Sequence, residues 1–101
     1  MKEKRIRSTV FTASKLVNKD PSFIYWITAN PAALGTAGTL SVYDGFDNTG
    51  VKVFEMVTGY DRFNNLIPPI TCDQGIYVEV DAAIGSYVLG YAAQKWVNGR
   101  E

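Results

Sequence analysis

Hydrophobic and polar positions alternate along this chain in short stretches, separated by clusters of Asp, Gly and Asn. Residues 39–43 put Leu40 and Val42 on one face and Thr39, Ser41 and Tyr43 on the other, the period of two that a half-buried strand requires. Ile76, Val78 and Val80 repeat that grammar, with Tyr77, Glu79 and Asp81 opposite. Residues 51–57 read as the return strand of a hairpin whose turn, residues 44–50 (Asp-Gly-Phe-Asp-Asn-Thr-Gly), is dense in residues that tolerate positive φ. Residues 83–86 read as another turn and residues 87–92 as a closing strand. No segment keeps a helical period over ten residues.

Other stretches depart from alternation. Residues 9–16 are rich in β-formers and read as a first strand, ended by a turn at residues 18–21, where Asp20 precedes Pro21. Residues 23–28 (Phe-Ile-Tyr-Trp-Ile-Thr) do not alternate, which predicts a strand covered on both faces, by the core on one and by a neighbouring subunit or a loop on the other. Residues 30–38 read as a loop and residues 59–65 as a polar connection. Pro68 and Pro69 each lack a backbone donor, so residues 66–70 belong to an edge or to a crossing between sheets. The pattern predicts an all-β fold: a small antiparallel β-sandwich, jelly-roll-like, with seven to eight strands. Residues 9–97 form its single domain, and residues 1–8 are an arm with too little apolar content to pack alone.

Composition narrows the function classes. An apolar fraction of 47% suits a globular chain, and no run approaches the roughly 20 apolar residues of a spanning helix. No hydrophobic segment of signal-peptide length follows the charged start, which argues against secretion by that route. The formal net charge is zero but unevenly spread. Residues 1–19 carry six basic side chains against Glu3, whereas residues 20–94 carry eight acids against Lys52 and Arg62. Such a basic arm on an acidic body suits docking to a partner through Lys2, Lys4, Arg5 and Arg7. The pI of 6.2 lies far from the basic range of nucleic-acid binding domains, so neither a nucleic acid nor a membrane is expected as partner.

The candidate chemistry is sparse. Cys72 is the only cysteine, so no internal disulfide forms, and without a histidine in the chain it has no activating base. It reads as a buried structural thiol. Asp44, Asp47 and Asn48 gather oxygens as a calcium loop does, but the spacing fails the EF-hand pattern and a turn is the better reading. Glu79 and Asp81 share a strand face about 7 Å apart, as glycosidase carboxylates could, yet alternating acids on a solvent face are far commoner. Zinc would need Cys and His clusters that are absent. No catalytic residue, metal or cofactor is expected. The abundant Tyr and Trp fit a core or a subunit interface, with Tyr25, Trp26 and Trp96 as interface candidates, better than a sugar-stacking platform.

Residues 38–50 (Gly-Thr-Leu-Ser-Val-Tyr-Asp-Gly-Phe-Asp-Asn-Thr-Gly) and residues 69–81 (Pro-Ile-Thr-Cys-Asp-Gln-Gly-Ile-Tyr-Val-Glu-Val-Asp) resemble small virion proteins of tailed bacteriophages. Those share a Gly-Thr-Val-x-Val-Tyr-Asp strand, a glycine-bearing turn and a later Gly-Leu-Tyr-Val-like strand. The resemblance spans residues 10–92, while the basic N-terminus and residues 59–70 depart from it. It implies a jelly-roll-like virion subunit, homotrimeric, made in the host cytoplasm and decorating the capsid exterior as a cement protein bound to the major capsid protein. The alternative is a carbohydrate-binding or fibre-tip module for host attachment.

Overall fold

The computed structural model describes residues 6–94, and these contain eight strands. They are β1 (Val10–Phe11), β2 (Lys15–Asn18), β3 (Ser22–Pro31), β4 (Gly38–Asp44), β5 (Val51–Thr58), β6 (Arg62–Cys72), β7 (Ile76–Val80) and β8 (Ile84–Ala93). They form two four-stranded antiparallel sheets, ordered β1-β8-β3-β6 and β2-β7-β4-β5. The pairs β1·β8, β2·β7, β3·β6 and β4·β5 are the rungs of one long hairpin, the first strand with the last and so inward. The pairs β3·β8 and β4·β7 close that hairpin onto itself. A hairpin rolled up in this way is a jelly roll, so the all-β sandwich expected from the pattern is the observed fold.

The core lies between the sheets. Ile24, Ile27, Ala29, Cys72, Tyr87 and Leu89 face Leu40, Val42, Met56, Ile76 and Val78, all buried. Each aliphatic side chain so buried contributes roughly 1.5–3 kcal/mol relative to exposure. The alternation read in residues 39–43 and 76–80 is the inward face of β4 and β7, with one difference: Ser41 on the outer face is also buried.

Several boundaries differ from the sequence reading. Residues 9–16 are two strands, because the chain leaves one sheet at Phe11 and enters the other at Lys15. The crossing is held from both sides. Tyr87 Oη donates to Ala13 O at 2.8 Å, and Ser14 Oγ accepts from Val80 N at 3.0 Å. Residues 62–65, read as connection, are strand: Arg62, Phe63, Asn64 and Asn65 pair with Ala29, Thr28, Ile27 and Trp26. β6 is an edge strand, which is where Pro68 and Pro69 are tolerated, and its register with β3 shifts between Ile70 and Asn65. The final turn lies at residues 81–83, and β8 already runs from Ile84. Pairing along the far edge of β8 extends to Arg7, inside the stretch read as an arm. Arg7 and Tyr91 exchange two backbone hydrogen bonds, at 2.7 and 3.0 Å.

Candidate functional site

The unbroken apolarity of residues 23–28 resolves into a bulge. The register of β3 shifts between Ile24 and Trp26: against β8 Tyr25 is an extra residue, whereas against β6 the surplus lies in residues 66–69 of β6. Ile24 and Ile27 point into the core, and Phe23, Tyr25, Trp26 and Thr28 are half-buried on the outer face. The outer coat expected on this strand is therefore made partly by its own aromatic residues. Phe23 and Tyr25 meet edge to face at 6.4 Å. Trp26 lies over Gly90 of β8, where a Cβ would come within 2.3 Å of the indole. Glycine at position 90 is what lets the ring lie flat on the sheet. Phe63 of β6 sits beside it, ring centroids 6.2 Å apart and planes 35° apart.

Register extends this patch across the whole sheet. Val10 pairs with Val88, Val88 with Thr28, and Thr28 with Phe63. Their neighbours in sequence, Phe11, Tyr87, Leu89, Ile27, Ala29 and Asn64, turn inward, and Asn64 donates to Met56 Sδ across the core at 3.2 Å. The four therefore form one outer row, open at both ends: Val10 is 63% and Phe63 62% exposed. The adjacent outer row is Gly90, Trp26 and Asn65. Neither row contains an ionisable side chain. Among the residues proposed as an interface, Tyr25 and Trp26 belong to this face. Trp96 lies outside the described residues, as do Lys2, Lys4 and Arg5 of the basic arm, while Arg7 is held at the sheet edge by its backbone. The sequence reading missed Val10, Val88 and Phe63, because only strand register brings them together.

The other outer face is polar and internally tied. Tyr43 Oη donates to Glu79 at 3.3 Å, its ring packs against Tyr77 at 6.5 Å, and Lys52 Nζ lies 5.9 Å from its centroid. Lys52 also pairs with Glu55 at 2.8 Å, and this bond raises the lysine pKa.

The acids that looked like candidate chemistry brace loops. The Asp44 carboxylate accepts from the backbone N–H of Asp73 at 3.0 Å, of Gln74 at 2.8 Å and of Gly75 at 3.5 Å, pinning the β6–β7 turn to the end of β4. Gly75 fits there because a Cβ would meet Asn18 O at 2.8 Å and Gly45 O at 3.0 Å. Asp47 accepts from Thr49 Oγ1 at 2.6 Å and from Thr49 N at 2.9 Å, and these bonds lower its pKa. An open depression of about 340 Å³ lies over this loop, lined by Asp44, Phe46, Asp47, Thr49 and Gln74 among others. Asp81 accepts from Thr39 N and Ala83 N, both at 3.0 Å, so Glu79 and Asp81 serve separate structural bonds. Among the described residues, no group of three or more Cys, Asp or Glu side chains is placed to hold a metal ion.

Cys72 is fully buried, and burial, reinforced by Asp44 and Asp73, pushes its thiol up to about 12. A thiol so held is protonated at neutral pH and is a poor nucleophile. Burial likewise pushes Tyr87 up to about 12. Comparison with family models, with curated protein sequences and with solved structures finds no match to this chain.

Proposed function

We propose that this chain is a structural subunit of a tailed-bacteriophage virion, a decoration protein that binds the outer surface of the capsid through the major capsid protein and associates with copies of itself. The observation that carries this reading is the contrast between engaged polar groups and the open, uncharged central rows of one sheet face. Asp44, Asp47 and Asp81 brace loops, Glu79 and Glu55 are tied to Tyr43 and Lys52, and Cys72 is protonated in the core. What the described residues offer outward is surface suited to holding another protein. The resemblance of residues 38–50 and 69–81 to small virion proteins supplies the setting. The basic side chains of residues 2–7 supply an electrostatic contact to an acidic capsid exterior, one that weakens with salt.

Co-sedimentation of the purified protein with heads of the source phage tests the proposal. Saturable binding is expected, reduced by the combined substitution Lys2→Ala, Lys4→Ala and Arg5→Ala, which keeps the Arg7–Tyr91 backbone bonds, while the melting temperature stays nearly unchanged. Absence of binding to heads, together with selective retention on a glycan array, would replace this reading with a host-attachment module.

A further inference from the structure

We infer that the outer face of the β1-β8-β3-β6 sheet is a self-association surface on which a second copy of this chain packs face to face about a two-fold axis. The inference deepens the self-association proposed above and rests on it.

Three observations select a second copy. The first is charge. The described residues 6–94 carry eight acids against five basic residues, Arg7, Lys15, Lys19, Lys52 and Arg62, so two such net-negative bodies repel mildly when charged surfaces meet. Glu55 and Glu79 lie on the other sheet's outer face, and Asp44, Asp47 and Asp73 cluster at loops. The rows Val10–Val88–Thr28–Phe63 and Gly90–Trp26–Asn65 have no charge, and the acid bordering them, Asp61 just before β6, is engaged by Asn30 Nδ2 at 2.9 Å, so two copies meet on these rows with least repulsion. The second is area. Three strands of ten or eleven residues and the two-residue β1 cover roughly 500 Å² at the usual strand rise and spacing. Two such faces bury about 1,000 Å², the threshold for a specific interface.

The third is shape. A two-fold axis parallel to the strands reverses the transverse row, so Val10 at one end lies over Phe63 of the partner subunit at the other. A small side chain thereby meets a large one, twice, flanking Trp26 on its glycine seat. A face that packs on itself closes at two copies. The three copies implied by the virion-protein resemblance would need two different surfaces on each subunit.

Sedimentation equilibrium of the full chain over a concentration series tests this. The expected result is reversible association to twice 11.1 kDa. Phe63→Glu is expected to weaken it at least about tenfold, because a carboxylate loses water against an apolar face. The double variant Val10→Lys/Phe63→Glu is expected to regain affinity at low salt, since each new lysine faces the partner's new carboxylate. Val57→Glu, on the other sheet at a residue 57% exposed, is expected to change nothing. Circular dichroism confirms that each variant is folded.

A monomer at every concentration, a three-copy mass, a dimer indifferent to Phe63→Glu, or a double variant no better than the single one would each overturn the inference. A monomer that still binds phage heads would sink self-association and this interface and leave the capsid-binding reading standing. A dimer that ignores heads would sink the virion reading and leave the interface standing.

Discussion

On the outer face of the β2-β7-β4-β5 sheet the side chains hold one another. Glu79, Tyr43, Lys52 and Glu55 form a chain of contacts, with Tyr77 packed beside Tyr43. On the outer face of the β1-β8-β3-β6 sheet the central rows hold no polar chain: Trp26 lies on Gly90, Phe63 leans against it, and Val10 stands open at the far edge. Both faces cover the same core, so burial cannot account for the difference. A polar outer face is satisfied by water and by its own hydrogen bonds. An apolar one gains by meeting another surface. One sheet is thus finished as a monomer surface, and the other is the face proposed to pack in an assembly.

The two sheets also differ in the ionisable groups they bury, and this difference predicts the largest effect. Cys72 and Tyr87 both belong to the β1-β8-β3-β6 sheet, and burial raises their pKa to about 12 from 9.0 and 10.0. The folded state therefore keeps protons that the unfolded chain loses. Their stabilising contribution is fully present below pH 9 and is lost as pH rises toward 12. Cys72 lowers the folding equilibrium constant about tenfold per pH unit from pH 9 upward, and Tyr87 adds a like effect only above pH 10. Urea titrations at increasing alkaline pH are expected to show a steadily falling midpoint, and Cys72→Ala, which removes one of the two groups, a shallower fall. A midpoint independent of pH from 9 to 12 would contradict the burial of both groups.

Gly90→Val attacks the apolar face at its seat. A side chain there collides with the Trp26 indole, and overpacking of this kind costs about 1–3 kcal/mol. Urea unfolding is expected to show that loss, together with an altered near-ultraviolet dichroism band. Tyr43→Phe attacks the polar face and removes only the bond to Glu79, a half-buried contact contributing about 0.5–1.5 kcal/mol. A loss larger than that from Gly90→Val would reverse the ranking of the two faces. Lys52→Gln is the smallest change, because it removes an exposed pair. Its melting temperature is expected to match that of the unsubstituted protein, and a clear drop would show that the polar chain is cooperative.

Much of the fold was legible from local pattern. Residues 39–43 and 76–80 alternate because one side of each strand meets the core, and residues 44–50 turn because Asp, Asn and Gly permit it. The turn reading of Asp44 and Asp47 was legible too: Asp44 ends β4 and Asp47 lies in the loop after it, where carboxylates find free backbone N–H groups, whereas Asp81, read on the strand face of Glu79, lies just past β7 and accepts from the turn that follows. The strand at residues 62–65 was hidden because an edge strand exposes most of its side chains, so Arg62, Phe63 and Asn65 show no buried face to set a period. The split of residues 9–16 was hidden because β-propensity reports extended backbone and is silent on which sheet receives it.

The sequence by itself determined an all-β chain, its turns, most of its inward-facing residues and the unequal distribution of charge. Each of these is a property of near neighbours, set by backbone preference and by which side chains water rejects. Tertiary structure alone decided the strand order, the bulge that turns Tyr25 and Trp26 to the same side, and the row that joins Val10 to Val88, Thr28 and Phe63. That row unites residues from four separate strands. Only hydrogen-bonded register fixes which of them share a face, because a slip of one residue would turn every one of those side chains to the opposite side.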